Sequence, residues 1–217
     1  MTNKPTIAIL GGTGKEGPGL AMRWAKAGYP IIIGSRQAEK AAAKASELRS
    51  QLGVGSIQGM ENSLAAQSAE ICVLTVVQSA HQDAVDQLKG VLQGKILVDT
   101  TARVDFKDPK PPLPPAAARM AQDRLGSSVR VVAAFQNVPA STLRKNLEEP
   151  LDVDVLVCAD DRQAAGEVIQ LAEAAGMRAY YAGSLDHAIV VEGLTSILIS
   201  LNRNYASHSA AIRITGI

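Results

Sequence analysis

The stretch Ile7-Ala8-Ile9-Leu10-Gly11-Gly12-Thr13-Gly14-Lys15-Glu16-Gly17 decides the fold. Four apolar residues in a row read as a short buried strand, and Pro18 to Ala27 carries a helical pattern. Between them Gly12, Gly14 and Gly17 make G-x-G-x-x-G. That pattern is weak alone and much stronger when wedged between a strand and a helix. The first glycine is expected to permit the tight turn, the second to let backbone approach a pyrophosphate, and the third to let helix pack on strand. An anion would then meet free N–H groups at the positive end of the helix dipole. Pro18 suits the first turn, where its missing N–H costs nothing.

Working outward, the chain alternates strand-like and helix-like runs. Tyr29 to Gly34 reads as a second strand, Ala38 to Leu52 as a helix, and Ser56 to Gln58 as a third strand. Asn62 or Ser63 would cap a brief helix. Glu70 to Val77 is nearly all apolar, as in a parallel strand covered on both faces. Ser79 would cap a helix running to Leu92, and Lys95 to Asp99 is another buried strand. Asp108 to Pro115, with five prolines, is a stiff surface connection. A helix from Ala116 to Leu125 and strands at Val129–Ala134, Val153–Cys158 and Met177–Tyr181 follow, with a helix from Asp160-Asp161 to Ala175 between the last two. Ser184 to Asn202 is a long apolar helix. This rhythm predicts an α/β fold with a doubly wound, mainly parallel sheet and a ligand crevice at the carboxyl ends of its strands.

Composition removes several function classes. The chain has 217 residues, 47% hydrophobic and 20% charged, with net charge +1 and only 3% aromatic residues. No basic stripe with stacking aromatics is present, so nucleic acid is not an expected partner. There is no signal-peptide pattern and no apolar run approaching the length of a bilayer span, so the expected location is cytoplasmic and off the membrane. Cys72 and Cys158 sit in apolar strand-like runs and read as core residues. His81, His187 and His208 are far apart and read as surface or cap residues, and no metal motif is formed.

The second strand ends in Gly34-Ser35-Arg36, about where NAD-binding chains place an acidic residue for the ribose 2′-hydroxyl. Here Ser35, Arg36 and, one turn on, Lys40 offer donors and positive charge instead. A 2′-phosphate needs those groups, and they point to NADP.

Gly11-Gly12-Thr13-Gly14, Gly34-Ser35-Arg36, Val73-Leu74-Thr75, Val138-Pro139-Ala140 and Glu192-Gly193-Leu194-Thr195 occur in that order. Together they resemble the NADPH-dependent F420 reductases, also called F420H2:NADP oxidoreductases, over essentially the whole chain. The resemblance implies a Rossmann-type NADP-binding domain over 1–150 and a small C-terminal helical appendage over 151–217 for substrate and dimerisation. It also implies a homodimer, and reversible hydride transfer between NADP(H) and the deazaflavin coenzyme F420. By the same resemblance Thr13, Gly14, Lys15 and Glu16 form the pyrophosphate loop, flanked by Gly12 and Gly17 of the glycine motif as cofactor-binding residues, and Ser35, Arg36 and Lys40 hold the 2′-phosphate. Thr75 and Val76 line the nicotinamide side; Val138, Pro139 and Ala140 border the space shared by the two rings. Archaeal members carry His at the position of Gln136 and Pro at that of Val77, and the Pro-rich stretch is unusual for the family.

Read alone, the residues show no acid–base dyad, activated nucleophile or metal cluster. Asp152 and Asp154 read as an exposed strand face. Hydride transfer tolerates so bare a site, because the cofactor brings the chemistry and the protein stacks the rings. Gln136 and Asn137 could bond ring heteroatoms without changing charge, and Pro139 would stiffen the ledge beneath. The alternatives are an NADPH-dependent FMN or FAD reductase, and a non-catalytic NADP(H) sensor.

Overall fold

The computed structural model describes residues 4–53 and 55–217; Met1–Asn3, within the expected first domain, and Val54, ahead of the expected third strand, lie outside the described residues. Among the described residues eight strands form one sheet: β1 (Ile7–Leu10), β2 (Ile31–Ser35), β3 (Ile57–Glu61), β4 (Ile71–Leu74), β5 (Ile96–Asp99), β6 (Arg130–Ala133), β7 (Asp154–Ala159) and β8 (Arg178–Gly183). Their order is β3-β2-β1-β4-β5-β6-β7-β8, with β1 to β6 parallel, β7 antiparallel to β6, and β8 parallel to β7. The order reverses between β1 and β4, which opens the crevice such sheets use for ligands. The sheet continues unbroken into residues 151–217, which add β7 and β8 to its edge.

Alternation along β1 explains the two-sided burial. Ile7 and Ile9 enter one apolar cluster, with Leu20, Ala21 and Trp24 of α1 (Gly17–Lys26), Ala41, Ala45 and Leu48 of α2 (Ala38–Leu52), and Val168 of α6 (Arg162–Ala174). Ala8 and Leu10 enter the other. That cluster takes Ala65 of α3 (Asn62–Gln67), Val85 of α4 (His81–Leu88), Ala121 of α5 (Ala117–Leu125) and Val191 of α7 (Ala188–Asn204). Cys72 and Cys158 are buried free thiols, as expected of core residues.

Several local expectations are corrected. A 3-10 turn, Gln78–Ala80, precedes α4, and Ser79 does not cap that helix. Glu61 caps α3 by accepting from the Ser63 N–H, which frees Asn62 to accept from the Gly11 N–H. Asp152 is exposed, but Asp154 is fully buried and accepts twice from Arg178, at 2.9 and 2.7 Å. The reason lies at the strand edge. β6 pairs only with the end of β7, so the first half of β7 has an open side. The C-terminal tail covers it: Asp154 N–H donates to the Ile212 carbonyl, and Ile214 N–H donates to the Asp154 carboxylate.

The span Leu185–Asn204 is long and apolar enough to cross a membrane by length and composition, at mean hydropathy 1.2, so the expectation that no run approaches that length is corrected. One face of it is nonetheless packed on the body through Leu185, Ala188, Val191, Glu192, Ser196 and Leu198. Val190, Ile197 and Leu201 on the same segment stay exposed.

Candidate dinucleotide site and adjoining crevice

The loop after β1 turns at Gly11, whose φ of +75° is the left-handed region that favours glycine. This corrects the assignment of the turn to Gly12. Gly12 is required for space instead: a Cβ there would stand 2.6 Å from the Ile9 carbonyl oxygen. At Gly17 a Cβ would stand 2.8 Å from Gly12 Cα, 3.0 Å from Thr75 Oγ1 and 3.1 Å from Ile9 Cγ2, so a bare Cα here lets α1 close on both the loop and β1. Asn62 Oδ1 accepts from the Gly11 N–H at 3.2 Å and braces the turn from α3. The N–H groups of Lys15, Glu16 and Gly17 meet no backbone acceptor among the described residues, at the start of α1. That is a ready anion cradle.

At the end of β2, Ser35 is buried and its Oγ accepts from the Gln37 N–H at 3.2 Å; Arg36 and Lys40 are exposed one helical turn apart. The pairing of β2 with β1 sets this cationic rim beside the loop. Free donors on one side and free positive charge on the other fit a dinucleotide carrying an extra phosphate.

Past the switch point, Thr75 and Val76 are half-buried at the end of β4, with Thr75 Oγ1 donating to the Leu10 carbonyl at 3.2 Å. Phe135, buried beyond β6, holds φ of +74° and meets Trp24 edge to face at 5.9 Å. A non-glycine residue in that region is strained, and burial against Trp24 holds it there. The kink turns Gln136 inward: its Nε2 donates to the Asp99 carbonyl at 2.9 Å, and its own carbonyl accepts from Thr195 Oγ1 at 2.9 Å. Asn137 commits its amide to β7, donating to the Asp154 carbonyl at 2.7 Å and accepting from Leu156 N–H at 3.5 Å. It fills the strand edge rather than facing a ring. Val138 is buried, and Pro139 and Ala140 are half-buried beside it.

The structure also supplies the dyad that the sequence reading missed. His81, at the first residue of α4, bonds Asp99 through Nε2 and Oδ2 at 2.7 Å, and both are buried. Asp99 Oδ1 accepts from the Thr101 N–H at 3.0 Å. Burial works to lower the His81 pKa, but the bond to Asp99 and its charge outweigh burial and leave it raised. The surface-or-cap reading holds for the exposed His187 and His208 and is corrected for His81. Beside the dyad, fully buried Glu192 of α7 accepts from Arg103 Nε at 3.2 Å, from Arg103 N–H at 3.4 Å, and from the first N–H of α5, at Ala117. One carboxylate therefore fastens both ends of the Pro-rich loop. A usable signal was present: Asp99-Thr100-Thr101 follows an apolar run, at a strand carboxyl end where ligands bind.

The family model for coenzyme F420-dependent NADP oxidoreductases matches residues 6–103. Over 97% of its length the chain is 41% identical to the F420-dependent NADP reductase of Methanocaldococcus jannaschii, covering 98% of that protein. It is 38% identical to that of Methanothermobacter thermautotrophicus, over 97% and 95% of the two chains. The chain belongs to this family. A crystal structure from Arthrobacter sp. FB24 shares the fold of this family member, with TM-score 0.83 at 24% identity, covering 98% of this chain and 100% of that one. A pyrroline carboxylate reductase of Plasmodium falciparum with NADP bound shares it more distantly, with TM-score 0.62 at 13% identity over 94% and 68%.

Proposed function

We propose that this chain catalyses reversible hydride transfer between NADP(H) and the deazaflavin coenzyme F420. The observation that carries this reading is the pairing of a free N–H cradle with an exposed Arg36–Lys40 rim, at the switch point of a family fold. In it the N–H groups of Lys15, Glu16 and Gly17, reached past Gly12, Thr13 and Gly14, take the diphosphate, and Ser35, Arg36 and Lys40 take the 2′-phosphate. Thr75 and Val76 border the nicotinamide, with Gln136, Val138, Pro139 and Ala140 beneath the two rings. When bound, the coenzymes supply the chemistry: a hydride leaves one ring and is accepted at carbon on the other. The protein's part is to stack the rings at reacting distance and keep water out. The uncharged walls suit that task, and the buried polar network behind them fixes their positions.

The segment 151–217 is assigned to the substrate side and to subunit contact. Exposed Val190, Ile197 and Leu201 on α7 support a homodimer. A cytoplasmic location accords with a water-borne coenzyme pair. The test is an anaerobic spectrophotometric assay with NADPH and F420, repeated with FMN and FAD. Turnover with F420 is the expected result. Turnover with flavins alone would replace this reading with a flavin reductase, and tight NADP(H) binding without oxidation would replace it with a sensor.

A further inference from the structure

An acid is built into the loop that is to receive an anion. Glu16 directly precedes α1, yet its side chain makes no cap bond to the helix N–H groups. It turns toward the end of β5, where Oε2 lies 3.2 Å from Thr100 Oγ1 and Oε1 is enclosed with no partner among the described residues. Hydrogens are scarce around it. Thr100 has one hydroxyl hydrogen, shared between Glu16 and the Leu74 carbonyl 3.1 Å away, which can only accept. An ionised Glu16 would rest on at most that one side-chain hydrogen bond, with its enclosed Oε1 unpartnered, which is costly. Burial accordingly pushes the Glu16 pKa up to about 8, with the Thr100 bond pulling the other way.

Charged neighbours on the surrounding elements do not offset this. Lys15 in the same loop is exposed. Arg23 of α1 donates to the carbonyls of Leu143, Lys145, Glu149 and Ala175. Asp99 of β5 is bonded to His81 of α4, and Glu192 of α7 to Arg103. On the β2 side, Arg36 and Lys40 are exposed to solvent.

We propose that Glu16 is a proton-linked gate on dinucleotide binding: as a neutral acid it admits the diphosphate to the N–H cradle, and once ionised it sets a like charge against it. The proposal deepens the NADP(H) reading above and rests on it. It is tested by measuring the dissociation constant of NADP+ calorimetrically between about pH 7 and pH 9. The lower limit keeps the 2′-phosphate charged, since its second pKa is about 6, and the upper one stays below the ordinary lysine range. Binding confined to the acid form makes the constant rise about tenfold over that range. In Glu16→Gln the profile is expected to be flat, and in Thr100→Val the rise should move to higher pH, because the bond favouring the ionised form is gone. Thermal unfolding checks each variant, and if Glu16→Gln fails to fold, the Thr100→Val shift decides. A flat wild-type profile overturns the gate, and so does an equal rise in Glu16→Gln. Wild-type protein that fails to bind NADP+ at pH 7 would overturn both the gate and the NADP reading, whereas a flat but tight profile overturns the gate alone.

Discussion

Removing His81 should expose how much the crevice depends on its buried pair. In His81→Ala the Asp99 carboxylate, fully buried, keeps the Thr101 N–H on one oxygen and loses its partner on the other. Breaking a buried pair from one side costs about 3–5 kcal/mol, because the remaining charge is stranded. At about 2–4 °C per kcal/mol for a chain of this size, the melting temperature should fall by roughly 6–20 °C. Adding Asp99→Asn removes the charge and should recover part of that loss. The sign with pH is fixed by the raised His81 pKa. The native state holds that proton more tightly than the unfolded chain, so the pair's contribution is whole below the free-histidine value of about 6.5 and drains away as pH rises through the native value. Calorimetric melting of wild type and variants across that range reads both effects. A His81→Ala protein within 1 kcal/mol of wild type in mild acid, on the order of the error of such estimates, or a gap that widens toward alkaline pH, would refute the reasoning.

Arg36→Ala should raise the Michaelis constant for NADPH by roughly 10- to 100-fold, the loss of one charge-assisted hydrogen bond, and leave NADH kinetics nearly unchanged; equal loss with both nucleotides would defeat the 2′-phosphate assignment. Gly17→Ala places a methyl 2.8 Å from Gly12 Cα, so NADP+ affinity measured by calorimetry should drop at least tenfold as the loop is pushed off the helix. Ile197→Asp, on the exposed face of α7, should convert a dimer to monomer in sedimentation at micromolar concentration, and a monomeric wild type would remove the dimer reading.

The parallel half of the sheet could be read from the chain because its signals are local: apolar runs covered on both faces, glycines at the turn, and an arginine where an acid usually stands. What escaped was set by partners distant in sequence. His81 and Asp99 belong to different elements, and the polar Asp99-Thr100-Thr101 run at a strand end marks a site without naming its partner. Asp154 reads as exposed because its spacing puts it on the same strand face as Asp152, whereas its burial comes from a tail that folds back some sixty positions later. Asn137 was assigned to the rings because its amide suits them, but an open strand edge claimed it first. Gly11 and Gly12 divide their work by backbone conformation, a left-handed φ at Gly11 and want of Cβ space at Gly12, which spacing alone does not resolve.

Glu192 has a consequence for how the protein is made. The loop from Arg103 to Ala117 leaves the sheet beside the crevice, and the carboxylate that ties its two ends lies 89 and 75 residues away in sequence. On a ribosome, the first six strands emerge well before that carboxylate does. Until it emerges, the loop beside the crevice is untied at both ends. The crevice gains its finished wall only after α7 has been synthesised and has docked, so a chain released short of that helix would lack the carboxylate that fastens both ends of the loop.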